Sequence, residues 1–297
     1  MTATSPGRNV VLVADDFAIS AGVSLGIETL ARHKRISATS AIVTLPRWRR
    51  DARRLAELRG HVAIGLHINL TLQSPIGIMP TLAPRGLLPS IATLTKLAIA
   101  RRINATEISA EISRQLEAFV DATGHAPDII DGHQHAHALP VVRDALIDSL
   151  QRAFGSVQRK PLVRVPAHGA QRLVRRSAVM KAGLISVLSK GAAAPLRSAG
   201  FPINESFAGV SRFATDERAI AGDFAADGLA RHGLAIVMCH PGVPTRELAE
   251  IDTLLERRAA ELAFLGHDNA LTSRLWHPAR AADGPQIDWR HERMVMS

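Results

Sequence analysis

The sequence predicts an α/β fold, a distorted (β/α) barrel of the TIM-barrel type, and three observations predict it. Short apolar runs rich in β-branched residues alternate with amphipathic segments over most of the chain, the pattern of a parallel sheet. No Gly-rich dinucleotide turn follows the first run, and roughly six to eight strand–helix units fit a chain of this length as one barrel. Acid or imidazole side chains close four separate apolar runs, at Asp15-Asp16, His67, His133 and His240, and barrel chemistry gathers at the carboxyl ends of strands. No repeat or compositional break marks a second domain, so residues 1–297 read as one.

Taken in order, NVVLVA at 9–14 is a buried strand that stops abruptly at Asp15-Asp16-Phe17. Ser20 caps a helix reaching about His33, with Val23, Ile27 and Leu30 at helical spacing. A strand at 38–45, an arginine-rich helix at 47–59 and a strand at 62–70 follow. Residues 72–90 hold four prolines and are too long for a simple connection, which marks a functional loop. Asn104 with Glu107 forms a capping box for a helix to about Ala122, ended by Gly124 and Pro127. The strand 128–131 delivers Asp131-Gly132-His133-Gln134-His135-Ala136-His137. Pro140 opens a helix to Phe154, and 162–165 is a further strand. Residues 170–199 read as partly helical and amphipathic, 206–210 as a strand end, and 215–232 as a helix. The apolar strand 234–239 runs into His240-Pro241-Gly242, one helix spans 247–265, and the last thirty residues carry no assignable pattern.

The composition is that of a globular protein, and no apolar run approaches the roughly 18 residues of a membrane span. No secretory signal opens the chain, and the single Cys239 cannot form an internal disulfide, so the expected location is cytoplasmic. The net charge of +9 is local. From Ser149 to Asn204 there is no Asp or Glu but ten Arg or Lys, a field that would attract an anionic partner such as a membrane surface. Nucleic acid is disfavoured, because aromatic residues do not interleave with the basic ones.

Imidazole is the commonest protein ligand of transition metals, and alternate residues of an extended segment share a side, so His133, His135 and His137 are expected to converge. Asp15 and Asp16 are expected to point to opposite sides of their strand, one toward a metal and the other toward a substrate pocket. A helix-capping role for the pair, and a plain core role for His67, are the structural alternatives. One carboxylate and two imidazoles with open positions make a catalytic metal set. A second carboxylate would take a proton from water and a separate imidazole, His240, would protonate a leaving amine. That is a metal-assisted hydrolase of an amide or ester. The rival readings are a phosphoester or cyclic-amide hydrolase and a barrel that binds a sugar or anion without turnover.

Four motifs together, Ala14-Asp15-Asp16-Phe17, Gly65-Leu66-His67-Ile68-Asn69-Leu70-Thr71, Asp131 to His137 and Cys239-His240-Pro241-Gly242, resemble the YdjC-like carbohydrate deacetylases, which include chitooligosaccharide and hopanoid-associated deacetylases. The resemblance implies removal of an N-acetyl group from an amino sugar, free or lipid-linked, with a divalent metal, Mg²⁺ by family habit and Zn²⁺ by ligand softness. It implies Asp16, His67 and His133 as metal ligands, Asp15 as general base and His240 as general acid. His135 and His137 would orient ligands or touch substrate, with Asn69, Phe17 and Arg164 as further candidates. Phe17, Trp48 and Trp276 are the candidates for stacking on a sugar. The family's tendency to dimers implies a homodimer. Ala18 departs from the family's usual glycine, so a left-handed backbone there would be strained. The segment Val163-Arg164-Val165-Pro166 resembles the hopanoid-associated branch, and the basic stretch beside it would suit peripheral contact with an anionic membrane.

Overall fold

Burial along the whole of β1, Val10–Phe17, follows from its interior position in a seven-stranded sheet. The computed structural model describes residues 10–157, 159–166, 191–210, 212–224, 234–267 and 270–278. All strand pairs are parallel, in the order β5-β4-β3-β2-β1-β7-β6. Here β2 is Ala38–Ala41, β3 Ala63–Ile68, β4 Ile129–Gly132, β5 Leu162–Val163, β6 Ser206–Ala208 and β7 Ala235–Cys239. Alternation along β1 divides two cores. Val10, Leu12 and Ala14 join the large cluster under the helices, while Val11 and Val13 join a smaller one with Ala38, Ala63, Ile129, Phe207 and Met238.

The sheet curls until its edges meet. Val163 bridges to Ile203 in parallel, and its N–H donates to Pro202 O at 2.9 Å. Next to that bridge the buried side chain of Asn204 replaces backbone pairing. Its Oδ1 accepts from Val165 N at 2.7 Å, and its Nδ2 donates to Val165 O at 2.9 Å and Ser206 O at 3.0 Å. One amide therefore joins the end of β5 to the start of β6. At the opposite end, Leu275 bridges Val10, and the buried Trp276 completes the inner core. The unassigned tail thus contains a plug for the barrel.

The helices follow the expected signals where capping is local. α1, Ala21–Arg32, starts at Ser20, whose Oγ accepts from Val23 N at 3.2 Å. α2 is Trp48–Glu57. α3, Ile91–Ile99, was not expected; Ser90 caps it, and only Leu94 and Ala98 are buried, so it lacks a strong apolar stripe. α4, Ala105–Thr123, is capped by Asn104 and ends at Gly124 with φ 74°. α5 is Val142–Phe154 and α6 Glu217–Phe224, with 225–232 of the expected helix outside the described residues. The single helix expected over 247–265 is two, α7 Arg246–Ala249 and α8 Leu255–His267. Asp252 breaks it, because its Oδ1 accepts from Leu254 N at 2.8 Å and so turns the chain. A short helix, α9, spans Ala270–Arg274. Of the basic stretch, Arg172, Arg175, Arg176, Lys181 and Lys190 lie outside the described residues.

The long connection 72–90 is held by two buried carboxylates of α4. Glu111 accepts from Ile76 N at 2.8 Å and Gly77 N at 3.0 Å. Glu107 accepts from Thr81 N, the Thr81 hydroxyl and Leu82 N. Leu88 N donates to Gln73 O at 2.8 Å and closes the loop's base.

Truncating Asn204 tests the ring closure. Asn204→Ala strands a buried N–H and a buried carbonyl of Val165, at about 1–3 kcal/mol each. Urea unfolding should show a loss of about 3 kcal/mol. A loss under about 0.5 kcal/mol would mean that other contacts close the barrel.

Candidate metal and catalytic site

The register of β1 slips between Ala14 and Phe17, where Asp16 takes φ 69°. This bulge overturns the expectation that the two aspartates face opposite sides. Both carboxylates instead border one cavity of about 830 Å³, together with His67, His133, His135, His240 and Arg258. Ala18 also has φ 69°, so an alanine does occupy a left-handed position. A buried chain supports that turn. Ala18 N donates to Ser24 Oγ at 3.1 Å, Ser24 donates to Asp51 at 2.6 Å, and Arg47 grips Asp51 with two bonds of 3.0 Å.

Around the cavity floor, opposite charges alternate. Arg164 donates to both oxygens of Asp15 at 2.7 and 2.6 Å and lies 2.5 Å from Asp131. Asp131 Oδ1 is 2.6 Å from His67 Nδ1, and the other edge of that ring, Nε2, is 3.3 Å from Asp16. His133 Nδ1 meets the same Asp16 oxygen at 2.9 Å, and Arg258 holds the other at 2.6 Å. Asp252, 2.5 Å from Arg258, ends the series. Burial would raise the pKa of Asp16, but His133 and Arg258 hold it well below the usual carboxylate range. Burial opposes charge on His67 as well, yet Asp131, with Asp15 and Asp16, carries its pKa to about 10. Asp131 is kept at about 2, because Arg164 and His67 outweigh its burial.

The residues after β4 do not run extended. His133–Ala138 form 3₁₀ turns with Gln134 and His135 at φ 53° and 61°. The expected convergence of His133, His135 and His137 therefore fails, and only His133 reaches Asp16 and His67. His135 lines the cavity with its ring edge toward Phe207, centroids 5.4 Å apart. His137 lies behind, its Nε2 2.9 Å from Arg164 O, and burial lowers its pKa to about 4. His240 sits on the cavity wall with Phe213 edge-on at 5.7 Å. Burial lowers its pKa to about 4, against the pull of Asp16 and Asp15, so it rests neutral at neutral pH.

Other expected contacts move away from the cavity. Phe17 is wholly buried in the helix-side core, Trp48 stacks on Phe119 at 5.9 Å and Trp276 fills the inner core, so none can stack on a sugar. Phe213 is the aromatic ring on the cavity wall. Asn69 folds the chain behind β3. Its amide bonds Thr44, Leu72 O and the N–H groups of Thr71 and Leu72, which leaves nothing for substrate. Arg164 is buried and consumed by two carboxylates rather than offered to a ligand. Cys239 packs with its thiol toward Val13 O, and burial raises its pKa, so it is no nucleophile. Asp131, Arg258 and Asp252 were missed. Asp131 stood inside the histidine motif, whereas Arg258 reads in sequence as an ordinary helix-surface charge.

Among the described residues, two sets of side chains have donor atoms within 4.8 Å of one another: Asp16, His67 and His133, and Asp15, His67 and Asp131. The second is filled by Arg164. The first opens on the cavity and combines one carboxylate with two imidazoles, a donor set suited to a divalent cation. The charge balance agrees, because among the described residues the guanidiniums paired with Asp15, Asp16, Asp131 and Asp252 are those of Arg164 and Arg258.

A curated chitooligosaccharide deacetylase of Proteus mirabilis is 34% identical over 128 residues, 43% of this chain and 49% of its own length. One from an Enterobacter species is 33% identical over 133 residues, 45% and 52% of the two chains. The chain spans about half the length of the curated relatives it matches. In fold it is similar to an Enterococcus faecalis protein described as a cellobiose-phosphate cleavage protein, with TM-score 0.65 and 18% identity over 91% of this chain and 97% of that one. The family model for YdjC-like protein matches residues 9–273, and with that match this chain belongs to the YdjC-like family.

Proposed function

We propose that the chain is a metal-dependent hydrolase that removes the acetyl group from the nitrogen of an amino sugar. The observation that carries this is the Asp16, His67 and His133 set on the cavity floor with a second carboxylate, Asp15, beside it. The relatives' name, chitooligosaccharide deacetylase, supports the substrate class.

Asp16, His67 and His133 would hold the cation, Mg²⁺ or Zn²⁺. When bound, it supplies Lewis acidity toward the amide carbonyl. Asp131 fixes the His67 ring through Nδ1, which leaves Nε2 for the metal side. Asp15, aimed by the two bonds from Arg164, takes a proton as water oxygen bonds to the acetyl carbon. The C–N bond then breaks, and the amine nitrogen takes a proton from His240. Because His240 rests neutral, it must first gain that proton, and the one lost by water balances it. The walls above the floor set Ile91, Leu139, Val210, Phe213, Ile251 and Leu254 beside Thr95, Lys96, Gln134 and Thr253, which suits an amino sugar that also carries an apolar group such as a lipid.

Acetate release from N-acetylglucosamine oligomers and N-acetylglucosaminyl lipids, with metal analysis of the same sample, tests the reading. His67→Ala should lose metal and activity together. Asp15→Asn and His240→Asn should keep metal while kcat falls about 10²–10⁴-fold. Full metal content with no acetate released from any amino sugar would overturn it.

The pKa of His67 adds a pH prediction. It is raised from the ordinary 6.5 to about 10, so in chelated protein its stabilisation is complete below the unfolded value and lost as pH rises through 10. Denaturant stability of the metal-free protein should fall from about pH 7 to 10. A metal ligand must be neutral, so metal uptake at pH 7 should release a proton, seen by calorimetry in buffers of different ionisation heat. Uptake without proton release would remove His67 from the ligand set.

A further inference from the structure

Between Glu57 and Glu107 the chain has no Asp or Glu. Four cations of this stretch, Arg85, Lys96, Arg101 and Arg102, are exposed, and none pairs with a carboxylate among the described residues. The same stretch holds four of the six large apolar side chains exposed among the described residues: Ile76 at 42%, Ile78 at 90%, Leu87 at 64% and Ile99 at 58%. Four exposed aliphatic side chains within 24 positions, interspersed with four exposed cations, make this stretch the candidate for an interaction surface.

The fold holds this surface in place. Loop 72–90 is pinned to the first two turns of α4 by Glu107 and Glu111, with Ile78 between the two anchor points. Both glutamates are buried, so neither offsets the exposed cations. α3 continues from the loop. It exposes Ile99 and gives Ile91, Ala92, Thr95 and Lys96 to the cavity wall, so the surface adjoins the cavity.

We propose that loop 72–90 and α3 together dock onto an anionic lipid bilayer. Aliphatic side chains enter the acyl boundary while neighbouring Arg and Lys meet headgroup phosphates. Charge selects this partner over a second copy, because a two-fold interface here would set cations against their own copies with no acid between. Nucleic acid fits poorly, since 68–118 contain no aromatic residue on which bases could stack. The surface lies outside the segment 149–204 to which the net charge pointed, and the inference is independent of the proposed hydrolysis.

The test is co-sedimentation of the full chain with phosphatidylcholine vesicles and with phosphatidylcholine–phosphatidylglycerol vesicles, at low and high salt. Binding is expected to the anionic vesicles alone and to weaken with salt. The double variant Ile78→Asp, Leu87→Asp should cut the partition coefficient at least about tenfold. Both side chains are exposed, and an unchanged thermal melt rules out misfolding as the cause. Should the melt change, Arg101→Glu with Arg102→Glu must give the same loss of binding. Absence of binding to either vesicle overturns the proposal, as does binding that these variants leave intact. A dimer in solution that the double variant splits, without lipid binding, would instead make this a copy interface.

Discussion

Arg164 is the group on which the carboxyl end of the barrel depends. Its guanidinium ties Asp15, from the interior of the sheet, to Asp131, from the strand two places beyond β2. Buried charge is tolerated only when paired and hydrogen-bonded, and losing one partner costs about 3–5 kcal/mol. Because Asp131 is fixed, His67 is fixed, and its far nitrogen is delivered toward Asp16. Arg258 then holds Asp16 from the opposite side of the cavity. Four carboxylates against two guanidiniums leave the cluster short of positive charge, and in the metal-free state a proton on His67 supplies part of it. A divalent cation beside Asp16 would take over that part, which ties the proposed chemistry to the same electrostatics that hold the strand ends together.

The two ends of the barrel are built differently. Where β1 begins, the interior closes with Trp276 and aliphatic side chains, and needs no charge to do so. Where β1 ends, the alternation that places Val11 and Val13 inside would also place Asp15 inside, and the bulge adds Asp16. The left-handed backbone at Asp16 and Ala18 costs energy, and the buried Ser24–Asp51–Arg47 chain is what keeps it folded. Strain thus sits beside the candidate site and is restrained from the helix layer.

Much of the fold was legible because strand periodicity and helix caps are local signals. The run 10–14, the Ser20 and Asn104 caps and Gly124 all act within a few residues, and the structure places them where the pattern does. The polar ends of apolar strands were legible too, but they left Asp15 against Asp16 and the choice among the clustered histidines open; the set Asp16, His67 and His133 came from the family resemblance. Reasoning from alternation failed where the backbone leaves the extended region, at Asp16 and through Gln134–His135. Of the further candidates, Phe17 is spent on packing and Asn69 on a turn, while Arg164 orients the carboxylates of Asp15 and Asp131. Arg258 was invisible because only the tertiary fold brings α8 over Asp16, and α3 because a helix with two buried residues leaves little periodicity to read.

The cavity joins two unlike environments, and this constrains what it can hold. Its floor is a dense array of paired charges, while the walls set Ile91, Leu139, Val210, Phe213, Ile251 and Leu254 beside Thr95, Lys96, Gln134 and Thr253. Hydroxyls of a glycan that lie against the aliphatic part lose water without gaining partners, at a desolvation cost for each. A single polar head carrying an apolar tail would satisfy both zones. α3 gives Ile91, Ala92, Thr95 and Lys96 to that wall and exposes Ile99 to solvent. A substrate that resides in a bilayer could pass from the lipid-facing surface to the charged floor along one helix, with its tail in apolar surroundings throughout. The proposed lipid contact and the proposed chemistry are separable claims, but the placement of α3 makes each a physical reason for the other.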